Sequence, residues 1–283
     1  MARAATNVSR LQLAMRIPKR NLSRTDNEHL PVFGMCALSA DEVLLACGSA
    51  GLRAVSLHTA QLAAHKPSAI RYVYGVAFDA HTDTLLLLVE PLAYHYYQLV
   101  SLRRNASEWL EVQRFNTRIH YSSEFYDFAV CDSRVLIFKR GGDTTMYVFK
   151  VSAKRKLRNA GNVTLQSRFY KVACTRRDNV TLVALSHDTS VSLLRLTSLP
   201  LRLVPLASVS LTVHRRLLFR GDLLLVDDWN RIVSFRASDN ALTERQVLLD
   251  AQAGVRVDSW ALASDRLVLW NWKSEELLVY AFT

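Results

Sequence analysis

The chain has 283 residues, of which 50% are hydrophobic and 22% charged, and it carries a formal net charge of +11. That length and composition suit a folded chain with a large core and exclude a disordered one, and no apolar run reaches the roughly 18–20 residues of a membrane-spanning helix. The excess of Lys and Arg favours acidic partners, whether nucleic acid, phospholipid surface or acidic protein segments, although basic chains are also often merely well solvated.

The opening stretch MARAATNVSRLQLAMRIPKRNLSR holds six basic residues and no acidic one, the composition of an organelle-import presequence. Its internal pattern points elsewhere. Leu11, Leu13, Met15 and Ile17 alternate with Gln12, Ala14 and Arg16, which is the period of a half-buried strand, and Pro18 ends it. A presequence helix over the same residues competes poorly, because the period is wrong and Pro18 interrupts it.

Beyond this stretch, apolar runs of four to eight residues recur, separated by turn clusters such as GSAG, RGGD, RRDN, SHDT and DDWN. This predicts an all-β chain. Aligning the runs exposes a column: MCAL at 35–38, GVAF at 75–78, DFAV at 127–130, KVAC at 171–174, RLLF at 216–219 and SWAL at 259–262. Five of the six carry alanine at the third place (Ala37, Ala77, Ala129, Ala173 and Ala261), and Leu218 is the exception. Successive members lie 40, 52, 44, 45 and 43 residues apart, the length of one four-stranded propeller blade. Small residues fit there because innermost strands crowd towards the axis.

Each unit continues with a second strand (EVLLAC, TLLLLV, RVLIFK, VTLVAL, DLLLVD, RLVLWN) and a third (RAVSL, HYYQLV, MYVFKV, SVSLLRL, RIVSF, LLVYAF). Outer strands follow as EWLEVQRF, GNVTLQS, LRLVPLAS and ERQVLL, with a weak one near AQLAAH. The expected blades span about 31–66, 71–116, 123–167, 168–210, 212–250 and 256–283 of a single domain, 1–283. The last unit has three strands only, so residues 9–17 are expected to pair with it as the fourth and close a six-bladed β-propeller, leaving about the first eight residues dispensable.

These units resemble those of the WD40-like β-propeller superfamily. The likeness rests on GVAF and on LLLVDDWNRIVSF, which are similar to the inner strand and central hairpin of such repeats, and it covers essentially the whole chain. The Trp-Asp pair that closes the third strand of true WD40 repeats is absent, as is the Gly-His near their start, so no subfamily is assigned.

In an antiparallel meander the loops between strands one and two and between three and four share one face of the disc. On that face fall Arg103 and Arg104, then Lys154, Arg155, Lys156 and Arg158, then Arg176 and Arg177, eight basic residues from blades 2, 3 and 4. These are the candidate partner-binding residues, the alternative being a solvated hairpin. With no aromatic residue to stack bases, contact with phosphate or an acidic peptide is expected ahead of sequence-specific RNA reading. On the opposite, mixed-sign face, Trp229 beside Asp227 and Asp228 is either a contact point or a turn with its indole folded onto the blade. Near the axis, Asp127, Lys171 and Arg216 from adjacent blades suit an interblade salt bridge with one cation to spare, or a small anion site.

Enzymatic propellers gather metal ligands or carboxylates at the channel mouth. Here Asp127, His214 and Asp258 lie among cations and make a poor cage. The eight histidines form no HxH or HExxH pair, and neither a GxSxG elbow nor a phosphate loop occurs. No catalytic residue, metal or cofactor is therefore expected. Cys36, Cys47, Cys131 and Cys174 lie 11, 84 and 43 residues apart, too far for a zinc knuckle, and are read as buried thiols of a reducing compartment, cytoplasmic or nuclear. Five Asn-x-Ser/Thr triplets pull towards secretion, but the start of the chain lacks the apolar core of a signal peptide. The reading is a non-enzymatic interaction scaffold or complex subunit that binds an acidic partner through blades 2–4. An RNA-binding propeller is the alternative, and a channel-mouth enzyme comes third.

Overall fold

The computed structural model describes residues 10–22, 31–63, 70, 72–90, 96–105, 108–120, 126–139, 144–211, 216–228, 231–238, 240–250 and 257–283. After β1 (Leu11–Pro18), blade 1 comprises β2–β5 (Gly34–Ala37, Glu42–Ala46, Leu52–Ser56, Gln61–Ala63). Blade 2 comprises β6–β9 (Val73–Asp79, Thr84–Val89, Tyr96–Asn105, Glu108–His120), and blade 3 β10–β13 (Tyr126–Cys131, Arg134–Lys139, Thr145–Val151, Leu157–Thr164). Blade 4 comprises β14–β17 (Lys171–Arg177, Val180–Ser186, Ser190–Ser198, Leu201–Ser210), and blade 5 β18–β21 (Arg216–Arg220, Leu223–Asp228, Arg231–Ala237, Leu242–Leu249). Blade 6 is β22–β24 (Val257–Ala263, Arg266–Asn271, Glu276–Phe282), and its fourth strand is β1.

The expected closure by the N-terminal strand is therefore present. β1 runs antiparallel to β24 from Leu11 opposite Phe282 to Pro18 opposite Glu276. Backbone hydrogen bonds from Arg10 N to Thr283 O (3.3 Å) and from Lys19 N to Glu275 O (2.9 Å) extend the pairing at both ends. Ion pairs Arg16–Glu276 (3.1 Å) and Lys19–Glu275 (2.7 Å) add to it. Leu11 and Ile17 are buried while Gln12, Ala14 and Arg16 are exposed, as the alternation requires.

Second strands read as continuous apolar runs because each is covered on both faces by neighbouring blades. Residues 43–46, 85–89, 135–138, 182–185, 224–226 and 267–269 are 1% exposed or less. Period-two alternation divides them between neighbours: Leu85, Leu87 and Val89 pack with blade 1, whereas Leu86 and Leu88 pack with blade 3. Leu136 and Phe138 turn in the same way to blade 4, Val135 and Ile137 to blade 2. Each such side chain contributes about 1.5–3 kcal/mol of burial, so the core holds blade to blade more than strand to strand.

The alanine column lines the axial channel, together with Leu218. Inner strands are crowded: a Cβ on Gly34 of β2 would lie 3.2 Å from Gly75 Cα of β6, and one on Gly75 would lie 3.2 Å from the Phe128 ring of β10. Two-residue turns with both residues at positive φ, Asp132–Ser133 (50° and 57°) and Asp178–Asn179 (44° and 66°), join inner to second strands in blades 3 and 4. Their left-handed pair matches the twist of the hairpin, and after glycine Asp and Asn tolerate it most readily.

One expectation is corrected. Cys131 and Cys174 are not free thiols: they form a disulfide between β10 and β14, the inner strands of blades 3 and 4. Cys36 and Cys47 are free. Spacing along the chain hid the pair, because the two residues are 43 apart while blades 3 and 4 repeat at 44, so they meet across adjacent inner strands without occupying equivalent places in the repeat. The cysteine argument for a reducing compartment falls with it.

Candidate functional site

The face that carries the turns after first and third strands is laced by charge pairs between blades. Arg155 on the β12–β13 hairpin reaches Asp83 of blade 2 (3.2 Å) and also donates to the Thr82 carbonyl (3.2 Å). Arg104 of blade 2 lies 3.8 Å from Glu42 of blade 1, and Arg176 of blade 4 pairs with Asp132 of blade 3. Arg177 donates to the Ala237 carbonyl of blade 5 (3.0 Å), and Arg266 of blade 6 pairs with Asp41 of blade 1 (2.7 Å). Exposed pairs of this kind contribute roughly 0–1 kcal/mol each, so their main effect is to fix side chains in place.

This lacing splits the eight predicted cations. Arg104, Arg155, Arg176 and Arg177 are braced against neighbouring blades. Arg103, Lys154, Lys156 and Arg158 are exposed, and none has an acidic partner among the described residues. The β12–β13 hairpin separates two shallow depressions. One is bounded by Arg103, Glu111, Lys154 and Arg155, the other by Asp132, Arg134, Lys150, Ser152 and Arg158. Arg134 and Lys150 were missed by reading turn clusters, because each belongs to an apolar run, RVLIFK and MYVFKV, that was assigned to a strand. Register alone brings them beside Arg158.

At the axis, Met35, Gly75, Asp127, Lys171, Arg216 and Ser259 all line a channel of about 340 Å3. The expected interblade bridge is present: Lys171 Nζ lies 3.2 Å from Asp127 Oδ1, and Val172 N donates to Asp127 Oδ2 (2.8 Å). Arg216 stands opposite the buried Asp227 in the pairing of β18 with β19. Enclosure in the channel wall pushes the Cys36 thiol well above its ordinary range.

On the opposite face, Asp227 and Asp228 are buried, not displayed, and Arg245 lies 3.5 Å from Asp228. Trp229 and His214 lie outside the described residues, as does the side chain of Asp258. Among the described residues no group of three or more His, Cys, Asp or Glu is arranged to hold a metal ion, and no helix is long and apolar enough to cross a membrane.

No family model and no curated protein matches the sequence. Solved structures do match in fold. A protein from Lactobacillus plantarum is similar at a TM-score of 0.62 and 14% identity, over 91% of this chain and 83% of that one. The Cps50 (Swd1) β-propeller domain of Myceliophteria thermophila gives 0.57 and 9%, over 93% and 99% of the two chains. A chain of the mitotic checkpoint complex gives 0.59 and 11%, over 100% and 99%. With the six four-stranded sheets, these likenesses give the chain a six-bladed β-propeller fold.

Proposed function

We propose that this chain is a non-enzymatic interaction platform, a scaffold or a subunit of a larger complex, that holds an acidic segment of a protein partner against the basic face of blades 2–4. The observation that carries the reading is the division among its cations. Four are spent on bracing blades, while Arg103, Lys154, Lys156 and Arg158 stand exposed with no acidic partner among the described residues. A laced frame presents them at low ordering cost, so favourable contacts are not consumed in fixing loops. A propeller of this fold in the mitotic checkpoint complex supports a subunit role. In the channel, Lys171 and Asp127 act as a brace between blades 3 and 4, a reading favoured over a small anion site shared with Arg216 because the lysine already has a carboxylate at hand.

Binding of a fluorescent oligoglutamate peptide, followed by anisotropy, tests the reading. Affinity is expected to fall steeply as salt rises, and to vanish when Arg103, Lys154, Lys156 and Arg158 are together changed to Glu. Binding that survives the reversal overturns the basic-sector reading. Preferential capture of single-stranded RNA over the peptide transfers the face to nucleic acid.

A further inference from the structure

We infer that blade 3 carries a site for a phosphorylated side chain of the protein partner, on the blade-4 side of the β12–β13 hairpin. The inference deepens the proposed function and rests on it. Three cations stand in direct register across three neighbouring strands: Arg134 on β11 opposite Lys150 on β12, and Lys150 opposite Arg158 on β13. Directly opposed residues project to the same side of a sheet, and like charges so placed repel. All three border one depression of about 260 Å3.

The carboxylate available there is already committed. Asp132 accepts from Arg134 Nη1 (2.6 Å) and from Arg176 as well, one negative charge against two positive. Arg134 is held further by Thr181 Oγ1 (2.7 Å) and Ser198 Oγ (2.8 Å) of blade 4. Lys150 and Arg158 have no acidic partner among the described residues, so the rim keeps a surplus of about three positive charges. A phosphate monoester carries about −1.5 to −2 at neutral pH and several strong acceptor oxygens, which offsets that surplus better than a single carboxylate.

The neighbouring surface favours a protein source for the phosphate. Leu199 follows Ser198 at the β16–β17 turn and is 95% exposed, an aliphatic tip beside the cationic rung. Among the described residues no aromatic side chain borders the depression to stack a base. The ligand chemistry is thus phosphoserine or phosphothreonine on a segment with an apolar residue close to the phosphate.

The full chain is titrated with three labelled peptides of one acidic, leucine-containing sequence whose central residue is phosphoserine, serine or glutamate. The phosphoserine peptide is expected to bind at least tenfold tighter than the other two. Lys150→Gln with Arg158→Gln removes that preference, whereas Arg103→Gln with Lys154→Gln, across the hairpin, weakens all three peptides alike. Because a variant can fail by misfolding, unmodified protein and Lys150→Gln with Arg158→Gln are also melted in inorganic phosphate and in chloride at matched ionic strength. Both should unfold cooperatively, and the gain in phosphate should be larger in the unmodified protein, since the general salting-out effect is common to the two. Equal binding of the three peptides that still depends on Arg103 and Lys154 overturns the phosphate site and leaves the basic-sector reading standing. Absence of binding by any peptide overturns both. Equal displacement of the phosphopeptide by an oligouridylate overturns the assignment to a protein partner.

Discussion

Cys36 sits in the channel wall on the inner strand of blade 1, and loss of hydration there pushes its thiol above the ordinary value of 9.0. Tyr280, on β24, is raised from 10.0, again chiefly by burial. When folding raises the value of an acid, the unfolded chain releases its proton first, so the stabilisation is complete below the ordinary value and is lost as pH climbs past it. Urea midpoints are expected to hold level from neutrality to about pH 9 and to fall beyond it, less steeply in Cys36→Ala. A profile that stays level past the ordinary tyrosine value of 10.0 overturns this. At the same scale, the alanine column and the Asp127–Lys171 bridge were legible because both follow from equivalent positions in successive repeats. The rung of Arg134, Lys150 and Arg158 was not. Seeing it requires the exact register of two hairpins, and one of them has a bulge between Val148 and Phe149 that no pattern of hydrophobicity announces. Gly48 was missed for a similar reason. Its φ of +57° is a turn requirement, but the rings of Phe33 and Tyr72, 2.8 Å from where a Cβ would stand, come from other segments.

Strand by strand, reading was most accurate where burial is two-sided and weakest at the rim. β5 has three residues and pairs only Ala54–Ser56, consistent with the faint AQLAAH signal. An outer strand has a neighbour on one side alone, so little selects its sequence. The inner strands β10 and β14 carry an element that neither periodicity nor spacing suggested, the Cys131–Cys174 bridge. It spans 43 residues and ties two blades covalently beside Asp132, the carboxylate that Arg134 and Arg176 share. Cross-linking over such a loop restricts the unfolded chain and is worth roughly 2–4 kcal/mol. Reduction, or Cys131→Ser with Cys174→Ser, should lower the urea-unfolding free energy by about that amount. Thiol titration of the unreduced, denatured protein should find two thiols, Cys36 and Cys47. Four thiols in protein isolated under thiol-blocking conditions overturn the bridge as a feature of the native chain.

For the whole molecule, the repeat length and the three-strand final unit together specified a ring and its closure. What the ring binds was far less legible, because a cation that braces a blade and one with no acidic partner among the described residues look alike until their neighbours are known. Arg155 and Arg158, three residues apart, fall on opposite sides of that line. Closure itself is testable. Removing residues 1–8 should leave cooperative unfolding intact, whereas removing 1–18 deletes the buried Leu11 and Ile17 and bares the β24 edge. At about 1.5–3 kcal/mol for each buried side chain, the longer deletion takes away a large share of a typical domain's net stability. It should aggregate, and a soluble, cooperatively folding 1–18 deletion overturns closure by β1.

The Arg16–Glu276 pair joins residues 260 apart, and every contact of β1 with β24 has a comparable separation. During synthesis the first strand must therefore wait, unpaired, until the last one leaves the ribosome. Blades 1–5 can assemble on the nascent chain in order, but the sheet that locks them exists only after translation has passed Phe282. For that interval an amphipathic strand is displayed on the nascent chain, and the charges of Arg10, Arg16, Lys19 and Arg20 serve as gatekeepers against premature association.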